Sequence, residues 1–167
     1  MKEQTNVSTG VADVKQKLQA ELDELETELR VHLPKEIKRA REFGDLRENS
    51  EYQTALQRQT MVKARIRELR QRMSEVASID LSRIPHDKAG YGSTLVLYDA
   101  AKEEEVTYRL VTPEESDPAA GLISTVSPIG RSLMGKEEGD EVVVTIPSGS
   151  RRFEIRKLKT LHDQAPE

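Results

Sequence analysis

The first part of the chain carries a helical pattern of apolar residues. They recur at spacings of three and four, at Val11, Val14, Leu18, Leu22, Leu25, Leu29 and Leu33. Positions 11, 22 and 33 repeat every eleven residues, which keeps an apolar stripe nearly straight along an α-helix and indicates packing against a partner helix. The stripe resumes at Ile37 and Ala40. We expect Pro34, between the two parts, to kink the helix because proline lacks a backbone N–H.

A second stripe with the same spacing follows a short break around Gly44. Its members are Tyr52, Leu56, Gln59, Val62, Ile66, Leu69, Met73 and Val76. Two helices joined by so short a break fold back antiparallel, so residues 11–79 are predicted to form an antiparallel two-helix coiled-coil hairpin. At 1.5 Å per residue, the roughly 33 residues of its first helix make an arm about 50 Å long. Residues 1–10 are predicted to be a flexible N-terminus.

The pattern changes after residue 79. Residues 80–92 contain Pro85, Gly90 and Gly92 and are predicted to be a linker. Short runs rich in β-branched residues follow and predict five strands, at 94–98, 106–111, 122–126, 142–146 and 152–158. A short helix is expected within 128–135. Residues 93–160 therefore predict a small, mostly antiparallel sheet domain with one short helix, and residues 161–167 a flexible tail. The fold class is α+β.

Composition and charge favour an extended molecule and exclude some classes of partner. The chain is 35% hydrophobic and 34% charged, which argues against one large core and favours long exposed helices. With 26 basic and 30 acidic residues, the net charge of -4 gives no overall attraction to nucleic acid or anionic membranes. Cysteine is absent, no apolar run is long enough to span a membrane, and the first residues lack a signal-peptide pattern. We expect a cytoplasmic monomer without a membrane partner.

The break between the two helices contains the candidate chemistry. It reads Glu-Phe-Gly-Asp-Leu-Arg-Glu-Asn-Ser-Glu over residues 42–51, which puts Asp45 at the expected start of the second helix and Glu48 one turn later on the same face. The pair matches a capping box, stabilised by the helix dipole. The same pair also suits part of a Mg²⁺ shell. An exposed tip offers no third ligand and no enclosed cavity, so the metal hypothesis predicts a chain that donates ligands to a partner's site.

Two segments carry a resemblance to a known family. Residues 40–52 resemble the hairpin tip of the bacterial Gre transcript-cleavage factors, closest to the GreA type, and residues 124–140 resemble that family's C-terminal signature. The segments lie in the family's order and spacing, and the resemblance covers roughly residues 11–160. It implies a coiled coil that enters the secondary channel of bacterial RNA polymerase and an FKBP-like C-terminal domain that docks on the channel rim.

The resemblance also implies a mechanism. Asp45 and Glu48 help the polymerase hold a weakly bound second Mg²⁺ in a backtracked complex, and the polymerase's own site then hydrolyses the nascent RNA near its 3′ end. The ion is held mainly by the polymerase, and the chain is an accessory factor without turnover of its own. The residues expected to contact RNA or to lie at the tip are Arg41, Arg47, Asn49, Ser50 and Tyr52, although Arg47 is equally well explained as a solvent-exposed side chain. The residues expected to dock on the polymerase are Ser127, Pro128, Ile129 and Arg131.

Several alternatives stay open at this stage. The basic residues of the second helix either form ion pairs with acids of the first or contact RNA phosphates. Tyr52 either packs in the helical seam or reaches toward a nucleotide. Ser127–Ile129 is either a docking edge or a turn. His32, His86 and His162 are scattered and expected at the surface. A channel-binding inhibitor with the same architecture and a generic coiled-coil adaptor are the alternative functions.

Overall fold

The computed structural model describes residues 7–42 and 49–164. Its contacts divide the chain into two units. Asp13–Ile79 forms the hairpin unit, and Asp80–Glu167 together with Met1–Ala12 forms the sheet unit. A chain with one helical and one sheet-based unit confirms the α+β class.

The first arm of the hairpin is helical throughout its described length. It consists of α1 (Val7–Thr27), a π-helical turn (Glu28–His32) and α2 (Leu33–Arg41). The N–H of Leu33 bonds to the carbonyl oxygen of Glu28, five residues back. Pro34 has no backbone N–H to donate, and the wider π-helical turn before it accommodates the proline within the helix. The helix begins at Val7, four residues before the predicted start.

The second arm is α3 (Ser50–Ala77). Both apolar stripes are inward-facing: Val14, Leu18, Leu22 and Leu33 are buried on the first arm, and Ala55, Val62, Ile66, Leu69 and Val76 on the second. The ion pairs Glu28–Arg58 and Glu21–Arg65 fix the direction of the arms. Seven residues backward along the first arm correspond to seven forward along the second. The helices are therefore antiparallel, as their spacing predicted.

The sheet unit is built on five strands. They are β1 (Thr94–Asp99), β2 (Glu104–Val111), β3 (Leu122–Ser124), β4 (Glu141–Ile146) and β5 (Gly149–Lys159), in the order β3-β2-β1-β5-β4. The pairs β1–β2, β1–β5 and β4–β5 are antiparallel, whereas β3 runs parallel to β2. The sheet is thus mixed, and the expectation of an antiparallel sheet holds for four of its five strands.

A short helix closes one face of this sheet. It is α4 (Pro128–Leu133), within the predicted range 128–135. Leu133 on α4 is fully buried together with Leu95 and Leu97 on β1 and Phe153 and Ile155 on β5. Alternate residues of β1, β4 and β5 are buried in this core because strand side chains alternate between faces. The core is what positions α4 and the loop that precedes it.

The end of the chain corrects two expectations. Leu161–Gln164 forms a short helix, α5, and Leu161 is buried. His162 Nε2 donates to the carbonyl oxygen of Ile84 at 2.6 Å, and its ring stacks on that of His86 with centroids 3.7 Å apart. The prediction of a flexible tail starting at 161 is therefore wrong for these residues, and His162 is half-buried rather than a surface residue. None of the helices in the described ranges has the length and apolar character that crossing a bilayer requires.

Candidate functional site

The two predicted metal-assisting residues, Asp45 and Glu48, lie outside the described residues, as does Arg47. The structure describes the two helix ends on either side of them. The first arm ends at Arg41, and the second begins at Ser50. The site is therefore described through the two helix ends that flank it.

Asn49 occupies the start of α3 and joins both arms. Its backbone is extended (φ −80°, ψ 94°), and its Oδ1 accepts a hydrogen bond from the N–H of Tyr52 at 3.0 Å. Its Nδ2 donates to the carbonyl oxygen of Ala40 at 2.5 Å. Asn49 is therefore the N-cap of α3 and satisfies one of the free carbonyls at the end of α2. The expectation that the second helix starts at Asp45 is wrong, because the extended backbone of Asn49 separates that position from α3.

The other predicted tip residues lie around this cap. Tyr52 is half-buried, and the guanidinium carbon of Arg41 lies 5.8 Å from the centroid of its ring. This cation–π contact supports packing of Tyr52 between the arms. Ser50 is exposed and lines a cleft with Glu36, Arg39 and Glu51. Asn49 already uses both ends of its amide within the chain, so Arg41 and Ser50 are the more accessible of the predicted contact residues.

Ion pairs with the described residues of the first arm involve three of the six basic residues of α3, which are Arg58, Lys63, Arg65, Arg67, Arg70 and Arg72. Arg58 makes a bidentate contact to Glu28 (2.6 and 2.8 Å), and Arg65 does the same to Glu21 (2.8 and 3.1 Å). Arg70 bonds to Glu26 at 2.6 Å. The hydrogen bond from Arg65 lowers the pKa of Glu21, and that from Arg58 lowers the pKa of Glu28. The ion-pair interpretation is confirmed for these three arginines.

Three other cations lie together without such partners. Lys63 and Arg67 on α3 and Arg30 in the π-helical turn line a groove together with Leu29, Ile66 and the ion pair Glu26–Arg70. None of the three forms an ion pair with any residue in 7–42 or 49–164. The interpretation of basic residues as phosphate contacts therefore stays open for this groove and not for the paired arginines.

The predicted docking segment is rigidly held against β3. Ser127 caps α4: its Oγ accepts from the N–H of Gly130 at 3.0 Å and donates to the carbonyl oxygen of Ser124 at 2.7 Å. A Cβ at Gly130 would collide with that same carbonyl oxygen, so only glycine permits this approach. Ile129 packs against the core of the sheet unit. The segment is both an ordered turn and a helix start, and these two roles do not exclude docking.

Exposure separates the four predicted docking residues. Pro128 and Arg131 are exposed, whereas Ser127 and Ile129 are half-buried. Two apolar residues beside them were missed by the sequence reasoning: the side chains of Val126 and Met134 are exposed at 53% and 39%. The missed signal was their position, since they flank the short helix on both sides. Together they give the loop before α4 and its end an apolar surface.

Metal-binding groups are scarce in the described part of the molecule. Within residues 7–42 and 49–164, no three or more histidine or carboxylate side chains cluster closely enough to hold a metal ion. This finding does not extend to Asp45 and Glu48.

Comparison with known proteins covers both units. The family model for the N-terminal part of the GreA/GreB transcription elongation factors matches residues 12–77, and the model for their C-terminal part matches residues 84–160. Transcription elongation factor GreA of Desulfotalea psychrophila is 46% identical over 86% of this chain and 89% of its own length. The GreA of Nitratidesulfovibrio vulgaris is 43% identical over 94% of this chain and 95% of its own.

Among solved structures, a GreA/GreB elongation factor from Nitrosomonas europaea is 29% identical over 52% of this chain and 74% of its own, with a TM-score of 0.40. The assignment rests on the sequence matches, which extend through both units. This chain belongs to the GreA/GreB family of transcription elongation factors.

Proposed function

We propose that the chain binds bacterial RNA polymerase, places the end of its hairpin in the secondary channel, and stimulates the polymerase's own cleavage of backtracked nascent RNA. In this proposal Asp45 and Glu48 assist the polymerase's active site. The chain is an accessory factor that rescues arrested complexes and has no turnover of its own.

The observation that carries the proposal is the capping of α3 by Asn49. Because Asn49 supplies the acceptor for the N–H of Tyr52, the start of α3 does not require Asp45 and Glu48 as a capping box. The bond from Asn49 to Ala40 also holds together the two helix ends that residues 43–48 connect. The strongest alternative explanation for the acidic pair is thereby weakened, which supports a role toward a partner.

The donor set fits an incomplete magnesium site. Mg²⁺ prefers oxygen ligands and is often held by one or two carboxylates together with other groups. Two carboxylates on one chain hold it weakly, which agrees with an ion that belongs mainly to the polymerase. When bound there, a second metal ion stabilises charge and activates water in phosphodiester hydrolysis. The part played by this chain is to bring Asp45 and Glu48 to that ion.

The remaining predicted residues have supporting roles in the proposal. Arg41 and Arg47 contact the phosphates near the 3′ end of the nascent RNA, and Ser50 and Tyr52 line the approach. Asn49 positions this end of the hairpin through its two bonds to the chain. The sheet unit docks on the polymerase through the segment at Ser127, Pro128, Ile129 and Arg131. One copy of the chain suffices for each polymerase.

A cleavage assay on a stalled, backtracked elongation complex tests the proposal. With Mg²⁺ present, the purified chain is expected to shorten the RNA from its 3′ end. Asp45→Asn and Glu48→Gln are each expected to retain polymerase binding and to lose most of the stimulated cleavage. Glu24→Gln, which removes one exposed carboxylate from α1, is the matched control and should cleave like the unaltered chain.

The same assay separates the alternative functions. Slower elongation without shorter RNA products would identify a channel-binding inhibitor instead. Failure to retain polymerase in a pull-down would contradict both and favour a generic coiled-coil adaptor. Full stimulation of RNA cleavage by the double variant Asp45→Asn, Glu48→Gln would show that the two acids take no part in the mechanism.

A further inference from the structure

A polar cleft lies at one end of the sheet, far along the strands from α4. It is formed between the β1–β2 turn and the β4–β5 turn, which meet because Asp99 at the end of β1 pairs with Phe153 on β5. Its lining residues include Asp99, Lys102, Ser148, Ser150, Arg151 and Arg152, and its volume is about 450 Å³. The cleft is large enough for a small anion with its attached group.

The lining of the cleft contains an ion pair between Asp99 and Arg151. Asp99 is only 2% exposed, and its Oδ2 accepts from Arg151 Nη2 at 3.1 Å. Its Oδ1 accepts from the backbone N–H groups of Ala101 and Lys102 at 3.0 and 3.4 Å. Burial acts to raise the pKa of Asp99, but the hydrogen bonds from Arg151 and the two backbone groups outweigh it and hold that pKa below its ordinary value. Asp99 is therefore an anion whose charge Arg151 balances.

Arg151 is held in place from a second side. Its guanidinium carbon lies 4.8 Å from the centroid of the Phe153 ring, which is fully buried. A cation that is fixed by a carboxylate and an aromatic face loses little conformational entropy when it binds a further group. The side chain of Arg151 keeps 27% of its surface exposed, so part of the guanidinium is open to solvent.

The remaining cations of the cleft have no counter-charge. Neither Lys102 nor Arg152 forms an ion pair with any residue in the described part of the chain. The hydroxyl groups of Ser148 and Ser150 likewise make no hydrogen bond to the described residues. Three cations and one carboxylate leave the lining with an excess of two positive charges. Free ammonium, guanidinium and hydroxyl donors are the groups that bind phosphate oxygens.

We propose that this cleft is a binding site for a compact phosphate group, either inorganic phosphate or the phosphate of a mononucleotide. Phosphate is favoured over a carboxylate because its two negative charges match the excess charge and its oxygens match the number of free donors. An extended polyanion is disfavoured, since Glu103, Glu104 and Glu105 are exposed on the neighbouring hairpin and repel it. The inference is independent of the proposed action on RNA polymerase.

Titration of the full-length ¹⁵N-labelled chain by NMR tests the site. Inorganic phosphate and AMP are expected to cause saturable shifts in the amides of 99–102 and 148–152. The double variant Lys102→Gln, Arg152→Gln should bind roughly tenfold more weakly, a change of about 1.4 kcal/mol, because it removes two charged donors to the phosphate oxygens. The double variant Lys88→Gln, Lys157→Gln removes the same charge from exposed positions outside the cleft and should bind unchanged.

The outcomes of this titration distinguish inorganic phosphate from a mononucleotide as the ligand, and a specific site from a general effect of charge. Tighter binding of AMP than of inorganic phosphate identifies a nucleotide site, and equal binding identifies a site for the phosphate group alone. Equal weakening in both double variants would mean a general charge effect and would overturn the proposal. So would the absence of saturable shifts in the two turns, or shifts there with a short single-stranded RNA but with neither phosphate nor AMP.

Discussion

Asn49 Nδ2 donates to the carbonyl oxygen of Ala40, nine positions earlier in the chain, at 2.5 Å. The same amide group accepts from the N–H of Tyr52. One side chain thus bonds to a carbonyl group in the last turn of α2 and caps the first turn of α3. It sets the distance between the two helix ends from which residues 43–48 depart.

Asn49→Ala is expected to destabilise the hairpin unit by about 1–2 kcal/mol, because it removes both the N-cap and the bond to Ala40. Urea unfolding followed by far-UV circular dichroism measures the change. Asn49→Asp is the matched variant: it keeps an acceptor for the N–H of Tyr52 but loses the donor to Ala40, so an intermediate stability is expected. A stability of Asn49→Asp equal to that of Asn49→Ala would show that the cap contributes nothing.

The hairpin unit is expected to lose stability in acid. Glu21 and Glu28 have pKa values lowered below 4.5 by hydrogen bonds from Arg65 and Arg58. A carboxyl group whose pKa is depressed by folding contributes stability that is complete above its unfolded pKa and lost as the pH falls through its folded pKa. The melting temperature of the hairpin should therefore fall in the pH range below about 4.5.

The double variant Glu21→Gln, Glu28→Gln provides the control for this pH dependence. Its melting temperature at neutral pH should be slightly lower and its decrease in acid smaller, since the two carboxyl groups no longer titrate. Added salt should reduce the difference between the chains because these pairs are partly exposed to solvent. If the melting temperatures of both chains depended on pH in the same way, the loss of stability in acid would come from other groups.

The positions of the helices and strands were predictable because burial imposes a period on the sequence. Apolar spacings of three and four marked both arms, and the runs of β-branched residues marked all five strands to within a few residues. The parallel pairing of β3 with β2 was not predictable in this way. Strand direction is set by the connection through residues 112–121, and no local alternation of apolar residues encodes it.

The start of α3 shows a different limit of sequence reasoning. Aspartate and asparagine are equally good N-caps, but the sequence prediction considered only Asp45, because it forms an acidic motif with Glu48. The position of Asn49, three residues before the first apolar residue of the stripe, was the signal that favoured it. The choice among the basic residues of α3 was also beyond the sequence. Whether an arginine meets a glutamate depends on the rotation of the two arms about their axes.

Gly130→Ala is expected to destabilise the sheet unit by about 1–3 kcal/mol, because a Cβ there overlaps the backbone carbonyl oxygen of Ser124 and no flexible side chain can move to relieve it. Hydrogen exchange followed by mass spectrometry should show faster exchange over 122–135 and an unchanged hairpin. Arg131→Ala, on the exposed side of the same helix, is the control and should exchange like the unaltered chain. Unchanged exchange in Gly130→Ala would indicate that α4 moves away from β3 at little cost.

The apolar surface beside α4 leads to a prediction about polymerase binding. Val126→Ser and Met134→Ser are each expected to weaken binding roughly three- to tenfold, since each removes an exposed apolar side chain from the proposed docking surface, where a buried side chain is worth about 1 kcal/mol or more. The dissociation constant for polymerase, measured by fluorescence anisotropy with a labelled chain, gives the change. Neither substitution removes a core contact, so the melting temperature should stay the same.

Val143→Ser is the matched control for this surface. Val143 is 54% exposed on β4, but its side chain projects from the opposite face of the sheet to Val142 and Val144, which pack in the core that α4 covers. The Val143→Ser substitution removes an apolar group of the same size as Val126→Ser does, and it should leave the dissociation constant for polymerase unchanged. Equal weakening by Val126→Ser and Val143→Ser would move the docking surface away from α4, because only a contact that spans both faces of the sheet could sense the two changes alike.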